Sequence, residues 1–257
     1  MKIRRTIEWL LVLAFWLAVW QVAATFAGSV HLIPTPITVL DRLFELVGTA
    51  DFWLTCVISL GRILLGVAIA VVIAIPPAVL TAFSPLADRL FSPLLTVVKS
   101  TPVASFIILA LVFLGRDTVP VFISILMVTP VVWGNVSTGI RETDGNLLAM
   151  CRAYGVPRAR VLGRVYLPST VPCFLTAIRT SLGLAWKAGI AAEVLTSAKN
   201  SIGKEIFEAK QYMETVNLFA WTLVVIVFSL LIEKLVLALL DRLSGRVRKE
   251  VSYAERS

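Results

Sequence analysis

Apolar residues along this chain gather into long blocks separated by polar intervals, at about residues 7–26, 54–83, 90–114, 119–138, 169–195 and 218–240. A helix rises about 1.5 Å per residue, so about 20 apolar residues cross a hydrocarbon layer of about 30 Å. Each block therefore predicts a membrane span, and six spans predict an all-α, polytopic membrane fold, because helices satisfy their own backbone in lipid. Prolines add punctuation. Pro76-Pro77 predict a break near the end of the second span, and Lys99-Ser100-Thr101-Pro102 predicts a turn before the main part of the third. The polar intervals hold smaller elements. A short helix is expected over 38–48, a short turn over 84–89 and a tight turn over 115–117. A polar excursion over 196–216 contains Ser201-Ile202-Gly203.

One interval differs from the rest. Residues 143–168 read TDGNLLAMCRAYGVPRARVLGRVYLP and carry Arg152, Arg158, Arg160 and Arg164, too much charge to cross lipid. Leu147, Leu148, Met150 and Cys151 nevertheless recur at helical spacing. Gly155 and Pro157 then interrupt, since glycine ends a helix readily and proline opens the next. The pattern predicts a short amphipathic helix from Leu147 to Tyr154, a turn, and a second, basic helix ending at Leu167-Pro168.

Composition removes the soluble alternative. The chain has 257 residues, 58% of them hydrophobic, with a mean hydropathy of +0.88, well beyond an ordinary soluble domain. The net charge of +8 would suggest nucleic acid in a soluble protein. In a membrane protein it reflects the cytoplasmic excess of Lys and Arg, and no nucleic-acid partner is expected. With six spans, the N-terminus, the intervals after spans two and four and the C-terminal tail hold 14 Lys/Arg, whereas the opposite intervals hold 5. Both termini and the 143–168 loop are therefore expected in the cytoplasm. A basic start before an apolar run also describes a signal peptide. The length of the run and Glu8 within it favour an uncleaved first span.

Catalytic chemistry has no visible constellation. Cys56, Cys151 and Cys173 lack C-x-x-C spacing, His31 has no ligand cluster and reads as a loop residue, and no glycine-rich phosphate loop occurs. No metal, cofactor or ATP site is expected, so energy has to come from a partner. Charges within the apolar runs are more informative, because lipid burial of a charge is costly. Arg62, Lys99, Arg179, Lys187 and Glu193 are such charges. Around one helix Arg179 and Glu193 lie about 40° apart and Lys187 about 80° from Arg179, so the three can share a broad face. Two readings stay open: an anion-attracting pathway using Lys99, Arg179, Lys187 and Glu193, or a packing role in which Arg62 pairs with Glu193 and the other cations bond backbone carbonyls. Thr129-Pro130 and Ser100-Thr101-Pro102 are gating bends or ordinary kinks, and Gly183 and Gly189 suit close helix packing.

The 143–168 loop resembles the cytoplasmic loop of ATP-binding-cassette (ABC) importer permeases, of form E-A-A-x-x-x-G, nine residues, then I-x-L-P. Gly155 matches the glycine, and Val165, Leu167 and Pro168 stand in the I, L and P places. Ala149, Met150 and Cys151 occupy the E-A-A places, so the glutamate is absent. Leu60-Gly61-Arg62 through Pro76, STPVASFIILALVFLG from Ser100 to Gly115, Ala192-Glu193-Val194-Leu195 and Ser201-Ile202-Gly203 are similar to permeases of the nitrate, sulfonate and taurine group. In the last motif Ser201 replaces a first glycine. The resemblance covers roughly residues 54–240.

What the resemblance implies is a type I ABC importer permease fold over the whole chain, 1–257, in a bacterial plasma (inner) membrane. Two copies would form a homodimer, two cytoplasmic ATP-binding subunits would dock on the coupling loops, and an extracytoplasmic solute-binding protein would deliver a small polar or anionic solute. Leu147, Leu148, Ala149, Met150, Cys151, Arg152, Tyr154, Gly155 and Pro168 would form the ATPase-coupling element. Sulfonate-, nitrate- or bicarbonate-like oxyanions fit the buried cations. A thiamine-precursor-like heterocycle is the alternative cargo, and a self-contained channel or ion-coupled carrier without an ATPase is the alternative class.

Overall fold

The computed structural model describes residues 2–28 and 32–254, which leaves His31 outside the described residues. The described residues form helices and turns without strands. In chain order the helices are α1 (Lys2–Ala27), α2 (Pro36–Val47), α3 (Ala50–Phe83), α4 (Pro85–Ser100), α5 (Val103–Phe113), α6 (Val119–Arg141), α7 (Gly145–Ala153), α8 (Arg158–Val161), α9 (Leu167–Thr196), α10 (Ile202–Gln211) and α11 (Thr215–Ala254). A π-helical turn, Leu162–Tyr166, joins α8 to α9 without a gap.

Four helical stretches are long and apolar enough to cross a membrane: Ala50–Phe83, Val119–Arg141, Arg158–Thr196 and Thr215–Val236. The bent pair α4 and α5 makes a fifth if counted as one span, and Ala14–Ala27 of α1 is a shorter apolar helix. Helices α3, α6 and α9 build the centre. Ile63, Ala70 and Ala74 of α3, Val128 and Val132 of α6, and Ala177, Ala185 and Trp186 of α9 are all buried there. Small residues allow this closeness, which in lipid replaces the hydrophobic effect as the basis of association. Gly189 sits against the Ile63 side chain, whereas the Cα of Gly183 faces open space. Helix α11 joins through aromatics: Trp186 Nε1 donates to Val225 O at 3.0 Å, and Trp221 stacks on Phe52 at 5.3 Å. Trp20 of α1 stacks on Phe219 at 5.9 Å and donates to Pro34 O at 3.1 Å.

Four places along the helical path bear on the sequence expectation: the turn at Lys99–Pro102 is as expected, and the other three differ. First, α3 stays helical through Pro76-Pro77 to Phe83. Its flank there buries Ala74 and Ala78 completely, so packing outweighs the two missing N–H groups, which would have bonded Val72 O and Ile73 O. Second, the turn expected over 84–89 is one residue long. Ser84 alone is extended, its hydroxyl accepts from Ala87 N at 3.3 Å, and Pro85 opens α4. Third, the third apolar block is two helices meeting at 101°. Thr101, held extended before Pro102 (φ −80, ψ 133), ends α4. Fourth, the basic helix does not end at Leu167-Pro168. Pro168 lies in the first turn of α9, continuous with α8, because the wider π turn accommodates its missing N–H.

The α3–α6 crossing yields a direct test. A Cβ at Gly66 would stand 2.6 Å from Ser124 Cβ and 2.7 Å from Val121 O, whereas one at Gly61 meets nothing within 4 Å. Gly66→Leu is expected to cost about 1–3 kcal/mol or more by overpacking. It should lower the thermal unfolding midpoint of the purified protein in detergent, and Gly61→Leu should leave that midpoint unchanged.

Candidate functional site

The loop between α6 and α9 is built around a helix with two well-formed ends. Asp144 caps the start of α7, accepting from Asn146 N at 2.8 Å. At the other end Gly155 adopts φ +62, Gly155 N donates to Arg152 O at 3.2 Å and Val156 N to Cys151 O at 2.9 Å. These paired bonds form a Schellman ending, which requires a left-handed residue after the cap. Glycine takes that conformation without the Cβ penalty of about 1–2 kcal/mol. The helix is thus Gly145–Ala153 with Tyr154 as its cap residue.

The apolar stripe of this helix is divided. Cys151 is buried and Leu148 half-buried, both turned toward the body of the protein. Leu147, Met150 and Tyr154 are exposed by 43%, 51% and 82% and lie three to four residues apart, hence on one outward face. Ala149 and Arg152 are exposed beside them. The sequence places all the apolar residues in one stripe; the structure separates a seating side from a free side.

The opposite end of α9 carries a buried polar knot. Glu193 has no exposed surface. Its Oε2 accepts from Ser59 Oγ of α3 at 2.8 Å and from Gly203 N of α10 at 3.2 Å. The same Ser59 hydroxyl accepts from Ile202 N at 2.9 Å. Arg62 approaches Glu193 Oε1 to 3.9 Å, donates to Lys199 O at 2.9 Å and lies 3.4 Å from Asp117 Oδ1. Asp117 in turn accepts from Lys199 N at 2.7 Å. Ser201 caps α10 by accepting from Lys204 N at 3.0 Å. Arg62 and Glu193 are thus close, and they bind α3, α9, α10 and the α5–α6 turn together. Ser59 and Asp117 carry no sequence signal for this role. One is a hydroxyl within an apolar run, the other an acid in a tight turn.

The remaining intramembrane cations are dispersed. Lys99 is exposed in the last turn of α4, where a cation suits the helix C-terminus, and reaches α6 beside Gly134. Arg179 borders a cavity of about 130 Å³ together with Trp186, Ser229 and Glu233. Lys187 is exposed on α9 in line with Thr176, Thr180, Leu184, Ala191 and Leu195, a single face of the helix. Glu193 lies about 120° around the helix from Lys187, on the buried side. Among the described residues no cluster of three or more His, Cys, Asp or Glu is arranged for a metal.

Comparison with known proteins adds context to this geometry. Residues 66–249 match the family described as binding-protein-dependent transport system inner membrane component. SsuC of Escherichia coli, named as an aliphatic sulfonates transport permease, is 28% identical over 81% of this chain and 82% of its own length. The taurine transport system permease protein TauC of Escherichia coli is 27% identical over 90% of this chain and 86% of its own. The bicarbonate transport system permease protein CmpB of Synechococcus elongatus is 28% identical, covering 76% and 74%. Among solved structures, an amino acid ABC transporter superposes with a TM-score of 0.60 at 17% identity, covering 74% of this chain and 91% of that one. That likeness concerns the fold alone.

The polar knot predicts a sensitive position. A Cβ on Gly203 would overlap Glu193 Cβ and Val194 N. Gly203→Ala is therefore expected to lift α10 from α9. Glu193→Ala is expected to cost about 1–3 kcal/mol by leaving the buried Gly203 N and the Ser59 hydroxyl without their acceptor. Both should lower the unfolding midpoint in detergent and expose the α10 amides to hydrogen exchange; unchanged exchange in both variants would show that the knot does not hold α10.

Proposed function

We propose a transport role for this chain, which belongs to the family of binding-protein-dependent transport system inner membrane components: with a second copy of itself it lines the path of a small oxyanion. The chain is a multi-pass permease subunit of an ATP-driven importer and not itself an enzyme. ATP hydrolysis belongs to separate ATPase subunits, and a solute-binding protein supplies the cargo. The finer reading is a homodimer in a bacterial inner membrane, six spans per chain, with both termini and the α7 loop cytoplasmic. The 14 to 5 distribution of Lys and Arg supports that orientation.

The observation that carries the cargo reading is Lys187, exposed on the one face of α9 that also bears Thr176 and Thr180. An exposed cation on that face suits a sulfonate, carboxylate or bicarbonate group, the class named for relatives such as SsuC, TauC and CmpB. Lys99 and Arg179 extend the positive potential along the path. Glu193 contributes by holding the outer end of α9 in place. Coupling runs through one continuous element. The free face Leu147–Met150–Tyr154 enters a groove on the ATPase, with Arg152 at its rim, while Leu148 and Cys151 seat α7 on the permease. Gly155 turns the chain into the 39-residue helical stretch Arg158–Thr196, past Pro168. A displacement of α7 thus moves the helix that carries Lys187.

Three outcomes test this. Lys187→Gln is expected to reduce uptake of taurine or another small sulfonate by about tenfold or more, the scale of one hydrogen bond to a charge, with the complex intact. Unaltered uptake kinetics would take Lys187 out of the path. Gly155→Val, which strains φ +62, and Met150→Asp, which charges the free face, are expected to abolish stimulation of the ATPase by loaded binding protein in vesicles. Normal stimulation in both would mean that α7 is not the coupling element. Arg160→Cys should react with an impermeant thiol reagent only after cells are opened; labelling from outside would reverse the topology.

A further inference from the structure

We propose that the cleft beneath the coupling loop binds one anionic phospholipid, an acyl chain lying between α3, α6 and α9 and the phosphate held by the loop arginines. The apolar part is a furrow of about 480 Å³ walled by Ile75 and Val79 of α3, Val136 and Ile140 of α6, and Val171 and Phe174 of α9. It adjoins a cavity of about 700 Å³ lined by Arg152 and Arg158 together with the Gly155–Pro157 turn. Phe83, Leu162 and Tyr166 line both spaces. The Phe83 and Tyr166 rings meet edge to face at 5.3 Å and form the threshold between them. A tyrosine at this level suits the boundary between hydrocarbon and headgroups.

Charge identifies the occupant. Arg152, Arg158, Arg160 and Arg164 are all exposed, and among the described residues none of their guanidinium groups makes an ion pair or hydrogen bond within the chain. Two of them, Arg152 and Arg158, line the cavity that opens onto the furrow, and unpaired guanidinium groups there call for an anion with an apolar tail. A soluble phosphate makes no use of the furrow, and a zwitterionic lipid makes little use of the charge. The π turn makes the room. It carries Gly163, whose Cβ position meets nothing within 4 Å and which lines the furrow. π turns recur at functional sites. The assignment rests on the reading above that this loop lies at the cytoplasmic membrane surface. Its test reads bound lipid rather than transport, so the two can fail separately.

The full permease dimer, with and without its ATPase subunits, is delipidated in detergent and titrated with phosphatidylglycerol or phosphatidylcholine of matched chains, and bound lipid is counted by native mass spectrometry. One phosphatidylglycerol per protomer is expected, at least about fivefold tighter than phosphatidylcholine. Arg158→Gln should weaken it about fivefold. Gly163→Leu, which fills the furrow, should abolish retention without changing the unfolding midpoint. Val79→Phe, from the opposite wall, replaces it if that midpoint moves. Glycerol phosphate, the headgroup without chains, should not compete. Equal binding of the two lipids, full competition by glycerol phosphate, displacement of lipid by the ATPase subunits, or unchanged binding in either the charge or the filling variant would each overturn the proposal.

Discussion

A carboxylate without exposed surface, Glu193, governs the end of this molecule remote from the α7 loop. Burying a charge costs several kcal/mol unless partners repay it. Here the repayment comes from three directions: a hydroxyl on α3, a backbone amide at the start of α10, and the guanidinium of Arg62. Each partner is itself committed elsewhere. Ser59 also accepts from Ile202 N, and Arg62 also holds Lys199 O and lies beside Asp117. The elements it joins are far apart in the chain, so the knot closes only when the bundle is assembled. It therefore selects one register of α9 against α3. The apolar contacts of Ile63, Ala74 and Ala185 could not do so alone, since small apolar residues slide past one another at little cost in lipid.

From that fixed end α9 runs back toward the loop as a lever. The α8–π turn–α9 stretch is helical without a gap, so under the coupling role proposed above a displacement at Gly155 would reach α9 along one continuous element. The two places where that element is softer are both near the loop. The π turn loosens the hydrogen-bond ladder at Leu162–Tyr166, and Pro172 removes one further donor. A stiff far end and a compliant near end suit an element that must respond to a partner at the loop while keeping its far seat.

How much of this was legible in the sequence follows from what sets each feature. The helices α3, α6, α9 and α11 could be read because lipid demands long apolar runs, a one-dimensional signal. The α7 helix and its Gly155 ending could be read because amphipathic spacing and a left-handed glycine are local. Of the two proline breaks expected, the one at Pro102 is a 101° bend and the one at Pro76-Pro77 is absent, because a proline's local cost is fixed while its consequence depends on packing. The Ser84-Pro85 pair is a helix start by its chemistry, a cap followed by a first-turn proline, which the turn reading over 84–89 overlooked. The knot was visible only by half. Glu193 and Arg62 stand out as charges in apolar runs, whereas Ser59 looks like any serine bonding its own helix, its partner lying 134 residues away.

The same reasoning about cost bears on what lies against α9. Its outward face carries Lys187 with Thr176 and Thr180 on one line. A lysine turned to hydrocarbon near mid-helix costs about 2.5–3.5 kcal/mol on insertion scales, and a single protomer leaves this one on its outside. Leu184 and Leu195 on that line tolerate lipid, and the Thr176 and Thr180 hydroxyls bond their own helix, but the lysine between the two leucines does not gain from lipid. Water, an anion or a second protomer lowers that cost, and a water-filled space between two copies supplies all three. Pairing and pathway are then one requirement, because the surface too polar for lipid is the surface that a polar solute needs.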